Sequence, residues 1–107
     1  MPWSITYHKA VLKDVEKLDG SRKAQVVKAI QKVSQNPLPF TEGGYGKPLG
    51  NKENVHLTGC LKIKLKKSGL RVVYRLVRTE LEMNIIVISV RSDNEVYERA
   101  EKRVKQG

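Results

Sequence analysis

Between Cys60 and Lys66 the sequence alternates strictly, with Leu61, Ile63 and Leu65 set between Lys62, Lys64 and Lys66. On a strand, successive side chains point to opposite faces, so this spacing puts the ammonium groups on one face and the aliphatic side chains on the other. A turn at Lys66-Lys67-Ser68-Gly69 would pair this strand with Leu70 to Val77. Val72, Tyr74 and Leu76 then extend the apolar face, and Arg71 and Arg75 join the lysines. No Asp or Glu interrupts Asn54 to Thr79, which holds Lys62, Lys64, Lys66, Lys67, Arg71, Arg75 and Arg78. Like charges side by side in a sheet work against folding, and a purely structural sheet would intersperse glutamates. The concentration points to an anionic partner, most commonly a nucleic acid. The competing reading, a solvated Lys-rich face that keeps the sheet from aggregating, stays open on composition alone.

Few other residues are placed for chemistry. His8 closes the first alternating segment and His56 precedes the lysine strand by several residues, so neither is positioned as a base beside the cations. Cys60 is the single cysteine, which excludes an internal disulfide and, with only two histidines in the chain, makes a metal site unpromising. It is assigned to packing rather than nucleophilic work, since no His or helix start activates it. Tyr45, in a Gly-rich segment, could stack on a base, although packing within its loop is the reading taken.

The elements that must carry these residues follow from periodicity. Trp3-Ser4-Ile5-Thr6-Tyr7 alternates as a short strand. Val11, Val15 and Leu18, then Val26, Ile30 and Val33, recur at helical spacing on either side of Asp19-Gly20-Ser21. That predicts two antiparallel helices whose apolar stripes pack on a sheet, the second ending at Asn36-Pro37. From Asn36 to His56 the prolines and glycines read as a long irregular segment, a functional loop or a docking surface. A meander follows: Cys60 to Lys66, Leu70 to Val77, a turn over Thr79 to Asn84, and the unbroken apolar run Ile85 to Val90. Ser92-Asp93-Asn94-Glu95 has capping-box spacing, and Val96, Ala100 and Val104 form the stripe of a short C-terminal helix. The predicted fold is α+β: two N-terminal helices on a mainly antiparallel sheet, in the order β-α-α-β-β-β, with that last helix added. Residues 1–107 read as one domain.

The chain has 107 residues, 21 Lys+Arg against 11 Asp+Glu, and a formal charge of +10. A chain of this size can bury about 65% of its unfolded surface, enough for a core without disulfides or metals. No apolar run approaches the roughly 18 residues of a membrane span, and Met1-Pro2-Trp3-Ser4 lacks the pattern of a signal peptide. Membrane insertion and export are not expected, and a reducing cytoplasm suits the lone thiol.

The run Cys60-Leu61-Lys62-Ile63-Lys64-Leu65, then Ser68-Gly69-Leu70-Arg71-Val72-Val73-Tyr74, Ile88-Ser89-Val90-Arg91 and Glu95-Val96-Tyr97 closely resembles the RelE-type toxins of the RelE/ParE superfamily. The likeness spans nearly the whole chain, and residues 57–105 carry its specific part. It implies a small endoribonuclease, the toxin of a type II toxin-antitoxin system, that enters the A site of the 70S ribosome and cuts mRNA there without a cofactor. A separately encoded, RelB-like antitoxin would inhibit it by folding on the toxin, covering the cationic sheet or displacing the C-terminal helix. Carried over by position, the family's catalytic residues fall on Lys62, Lys64, Arg71, Arg91 and Tyr97. Lys66, Lys67 and Arg75 would be further RNA contacts.

Such a site must deprotonate a ribose 2′-OH, stabilise a dianionic phosphorane and protonate the 5′-oxygen, leaving a 2′,3′-cyclic phosphate. Two cations about 7 Å apart repel by about 0.6 to 2.4 kcal/mol, so only several together would bring a lysine towards neutral pH, and bound phosphate would reverse that. Lys62 and Arg71 are therefore read as phosphate clamps, Lys64 or Tyr97 as the proton acceptor, and Arg91 as a leaving-group or phosphate contact. Tyr97 could equally be a packed aromatic of the helix stripe. Two alternatives remain: a ParE-like toxin acting on DNA gyrase, against which the set Lys62, Lys64 and Arg71 argues, and a non-enzymatic basic RNA- or ribosome-binding module.

Overall fold

The computed structural model describes the backbone of residues 3–52, 55–66, 68–90 and 93–106, and side chains for all of these except 49–52, 55–59, 93–95 and 106. The order is β1 (Ser4–Tyr7), α1 (Val11–Glu16), α2 (Gly20–Ser34), β2 (Lys47–Lys52), β3 (Val55–Leu65), β4 (Leu70–Val77), β5 (Glu82–Ser89) and α3 (Asp93–Gln106). The strands form one sheet in the order β1-β5-β4-β3-β2. β1 runs parallel to β5, and every other pairing is antiparallel. The expected α+β fold with a C-terminal helix is present.

α2 starts where the sequence punctuates. The Asp19 carboxylate accepts a hydrogen bond from the Arg22 amide at 2.8 Å, satisfying one of the helix's orphan donors. Val26, Ile30 and Val33 then pack, with Val11 and Leu18, against Leu61, Leu70, Val72, Tyr74, Met83, Ile85 and Ile88. This is the larger core; of the odd-numbered residues of β3 expected on this face it buries Leu61, with Ile63 and Leu65 packed half-buried at its margin.

The segment 36–56 departs from expectation. It contains β2, which pairs with β3 at the edge of the sheet despite Pro48 and Gly50. An edge strand tolerates a proline because one side of its ladder has no neighbour to serve. The preceding loop is fastened from beneath: the buried Tyr74 hydroxyl donates to Pro37 O at 2.8 Å. Gly46 passes so close to Tyr74 and Leu61 that a Cβ there would overlap both. β3 also begins at Val55, five residues before the alternation starts.

β5 starts at Glu82, earlier than the apolar run. The turn before it is a single 3-10 turn closing on Leu81, whose φ of 51° is left-handed. Opposite Val73 and Tyr74 the register slips by one residue, so Ile86 is an extra residue in β5. That bulge places Ile86 and Val87 together against α3, while Ile85 and Ile88 stay in the larger core.

Candidate active site

β3 and β4 align the site. Cys60 pairs with Arg75, Lys62 with Val73 and Lys64 with Arg71, and Arg71 pairs in turn with Ser89 on β5. All lie on the face away from α1 and α2, with Lys64 at the free edge of β3, where it also borders α2. That face is not wholly solvated: α3 lays Val96, Tyr97 and Ala100 over Cys60, Val73, Ile86 and Val87, forming a second, smaller core. The sequence expectation of an open cationic face is therefore corrected. Helix stripe and sheet bury each other at one end, and the cations collect where the helix cover stops.

Tyr97 joins the two halves. Only 3% exposed, it is packed in the smaller core, yet Lys62 Nζ donates a hydrogen bond to its hydroxyl at 3.0 Å and lies 5.7 Å from the ring centroid. A phenol can bury its ring and still present its hydroxyl, and Tyr97 does both here. Lys64 is exposed beside half-buried Arg71, whose Nη1 also reaches Gly69 O at 3.4 Å. The structure thus brings together Lys62, Lys64, Arg71 and Tyr97. Arg75 stands apart, separated from Arg71 by buried Val73 and set over Cys60; its Nε is buried with no hydrogen-bond partner among the described residues. Lys66 lies past the end of β3 and turns towards α2. Lys67 and Arg91 lie outside the described residues, as does Ser92 of the expected capping box.

Cys60 is 2% exposed, and burial pushes its thiol above the usual value, with the positive charge of Arg75 only partly offsetting this. A thiol held protonated is a poor nucleophile, in keeping with packing. Among the described residues no group of three His, Cys, Asp or Glu side chains could hold a metal ion.

Two residues that position the site escaped the sequence reading. β1 stops pairing at Ile85, which leaves the outer edge of β5 without a strand partner beyond it. Asp14 on α1 accepts the Ile88 amide at 3.1 Å, and Arg103 on α3 donates to Ile86 O at 2.8 Å. The two side chains also form a bidentate ion pair at 2.6 and 3.1 Å. This buried pair ties α1, β5 and α3 together, and so fixes the helix that carries Tyr97. A signal was available: Asp14 sits three residues after Val11 and four before Leu18, an acid on an apolar stripe, and Arg103 sits three after Ala100.

With this geometry in hand, comparison with known proteins is decisive. The family described as the ParE toxin of the type II toxin-antitoxin system, parDE, matches residues 5–97. The chain belongs to the RelE/ParE toxin family. The mRNA interferase toxin RelE of Escherichia coli strain K12 is 28% identical over 104 residues, covering 97% of this chain and 99% of the relative. A free-state structure of a mutant E. coli RelE superimposes with a TM-score of 0.77 at 26% identity, covering 97% of this chain and 99% of that one. A mutant E. coli RelE bound to a peptide of its antitoxin RelB gives a TM-score of 0.70 at 25% identity, covering 94% and 95%. No helix among the described residues is long and apolar enough to cross a membrane.

Proposed function

We propose that this toxin is an mRNA interferase, an endoribonuclease that cuts mRNA in the ribosomal A site and is held in check by a RelB-like antitoxin. The observation that carries the reading is the Lys62–Tyr97 contact at 3.0 Å, set beside Lys64 and Arg71 at the open end of a sheet face. A metal-independent cut needs cations on the phosphate and a fixed group for proton transfer, and this corner offers both kinds. Lys64 and Arg71 hold the scissile phosphate and the charge that builds on it. The 2′-oxygen attacks phosphorus, the bond to the 5′-oxygen breaks, and a 2′,3′-cyclic phosphate forms.

Tyr97 Oη, held by Lys62, is the group best fixed to take or return a proton, with Lys64 the other candidate. Lys62 thereby serves two ends, orienting Tyr97 and adding positive charge near the phosphate. Arg91 is assigned to the leaving group or a flanking phosphate through the family likeness. Lys66, Lys67 and Arg75 are assigned to RNA contacts beyond the cut. With no tuned histidine pair, the site depends on exact placement of the 2′-OH, which an orienting ribosome supplies.

The test is to map cleavage of a defined mRNA in a translation extract, with and without assembled ribosomes. Lys64→Ala and Arg71→Ala should each slow cutting by about a hundred- to a thousandfold while the protein stays folded. Full cleavage by a folded double variant would end the assignment. The matched family carries the ParE name, so a gyrase-directed toxin is the second reading. Supercoiling activity of gyrase that falls with added toxin, alongside intact mRNA, would favour it.

A further inference from the structure

At the free edge of β3, where the hairpin meets α2, Lys28 and Lys32 of the helix and Lys64 and Lys66 of β3 and its turn line an open groove of about 640 Å³, together with Ala29 and Leu65. We infer that this groove is a second RNA-binding site, a track for the phosphates of a single strand leaving the catalytic corner, with Tyr45 as a base-stacking platform at its far end. The inference rests on RNA being the substrate, and extends that reading to residues outside the catalytic corner.

Three observations favour it. First, none of the four lysines pairs with a carboxylate among the described residues, and like charges from two elements border one shared space. Such a concentration is tolerated most readily when the ligand is an anion. Second, the groove is continuous with the catalytic corner, because Lys64 belongs to both. β2 begins opposite Lys62, so residues 63–65 of β3 form an uncovered edge around which a strand can pass. Third, Lys32 Nζ lies 5.6 Å from the Tyr45 ring centroid, and that ring is 53% exposed rather than packed into its loop. A lysine against an exposed aromatic offers a phosphate contact beside a stacking surface.

Spacing fits the same ligand. Lys28 and Lys32 are one helical turn apart, about 5–6 Å between Cβ atoms, and Lys64 and Lys66 are about 7 Å apart along a strand. Two rows of regularly spaced cations suit a backbone with one charge per nucleotide. An amphipathic helix of a partner protein is the competing occupant, because the lining exposes more apolar than polar surface, and the experiment separates the two.

A fluorescein-labelled 2′-O-methyl oligouridylate, which lacks the attacking hydroxyl, is the probe, titrated by anisotropy across a salt series. Lys28→Ala/Lys32→Ala removes two phosphate contacts, so the slope of log K against log salt should shrink in magnitude by about 1.4. Tyr45→Ala should weaken binding at least about fivefold, and Tyr45→Phe should retain it. On cleavable mRNA the double variant should raise KM and leave kcat unchanged. A wild-type slope and affinity in the double variant would overturn the track. So would unchanged RNA binding with loss of affinity for an acidic helical peptide, which would make the groove a protein-docking surface. If the wild type cuts no mRNA yet the slope difference persists, the cleavage reading falls and the RNA track stands.

Discussion

The two faces of the sheet are covered by helices in different ways, and the difference separates stability from chemistry. Under α1 and α2, Leu70, Val72, Tyr74, Met83 and Ile85 are completely buried, and the Tyr74 hydroxyl is a polar side-chain group that this core has to satisfy on its sheet side. Under α3 the cover is partial: Cys60, Val73, Ile86 and Val87 are sealed, while Lys64 and Arg71 on the same face remain accessible to a ligand. Where α1 and α2 close completely over the sheet, the buried side chains hold the fold together. The half-closed face can also hold the side chain proposed for proton transfer, because Tyr97 gains its position from packing and its partner from the open half.

The sharpest way to break this comparison is Tyr97→Phe. The ring keeps its place against Val73 and Ala100, and only the hydroxyl that meets Lys62 Nζ is lost. We expect cleavage to drop about a hundred- to ten-thousandfold, the range for removing a positioned proton-transfer group, with the thermal midpoint nearly unchanged. A variant that loses stability but keeps its cleavage rate would place Tyr97 among purely structural residues and erase the distinction between the faces.

The next largest effect concerns how α3 is held. Asp14→Ala leaves the Arg103 guanidinium in a site where its side chain is only 14% exposed, and removes the acceptor for the Ile88 amide. Breaking a buried pair from one side costs about 3–5 kcal/mol. Urea denaturation measures that loss, and hydrogen exchange should show residues 93–106 and 86–89 opening before the larger core does. Asp14→Ala, Arg103→Met should recover part of the stability, since the second change removes the stranded charge. If the double variant is as unstable as the single one, the pair acts through its backbone hydrogen bonds rather than its charges.

How much of this was legible in the sequence depends on whether a residue's partner is local. The β3 alternation, the two helical stripes and the break at Asp19-Gly20-Ser21 are read from neighbours in the chain and reappear in the structure, although Leu18 falls past the end of α1. β2 was hidden because Pro48 and Gly50 argue against a strand, and only its place at the sheet edge removes the objection. The Ile86 bulge was hidden because an unbroken apolar run has no phase to disturb. The cations of β3 and β4 were visible as a set, but their division was not. Whether a lysine faces a helix, a groove or solvent is decided by α3 and α2, elements about 30 residues away on either side.

Tyr74→Phe tests the larger core at its buried hydroxyl. The change keeps the ring, deletes the hydroxyl and leaves Pro37 O without its buried donor, at a cost of about 1–3 kcal/mol. Because Pro37 opens the loop that leads to β2, near-ultraviolet signals and exchange at residues 36–46 should loosen while cleavage by the corner around Lys64 persists. Loss of cleavage in step with stability would mean that the two faces fail as one unit.

The smallest effect should come from the exposed ion pair between Arg78 and Glu42. Arg78 grips Glu42 with both nitrogens, at 2.9 and 2.6 Å, much as Arg103 grips Asp14, but here both side chains are about half exposed. The hydrogen bond from Arg78 holds the Glu42 carboxyl below the usual value, so whatever stability it contributes is present above the unfolded carboxylate range and fades as pH falls through its lowered folded value. Water and salt screen such a pair, and ordering two long side chains offsets much of the attraction. Glu42→Gln should leave the thermal midpoint within measurement error at physiological salt, and its small pH dependence should vanish with added salt. With nearly the same bidentate geometry in both pairs, burial is what separates a structural fastening from a surface contact. A destabilisation by Glu42→Gln as large as that of Asp14→Ala would remove burial as the explanation.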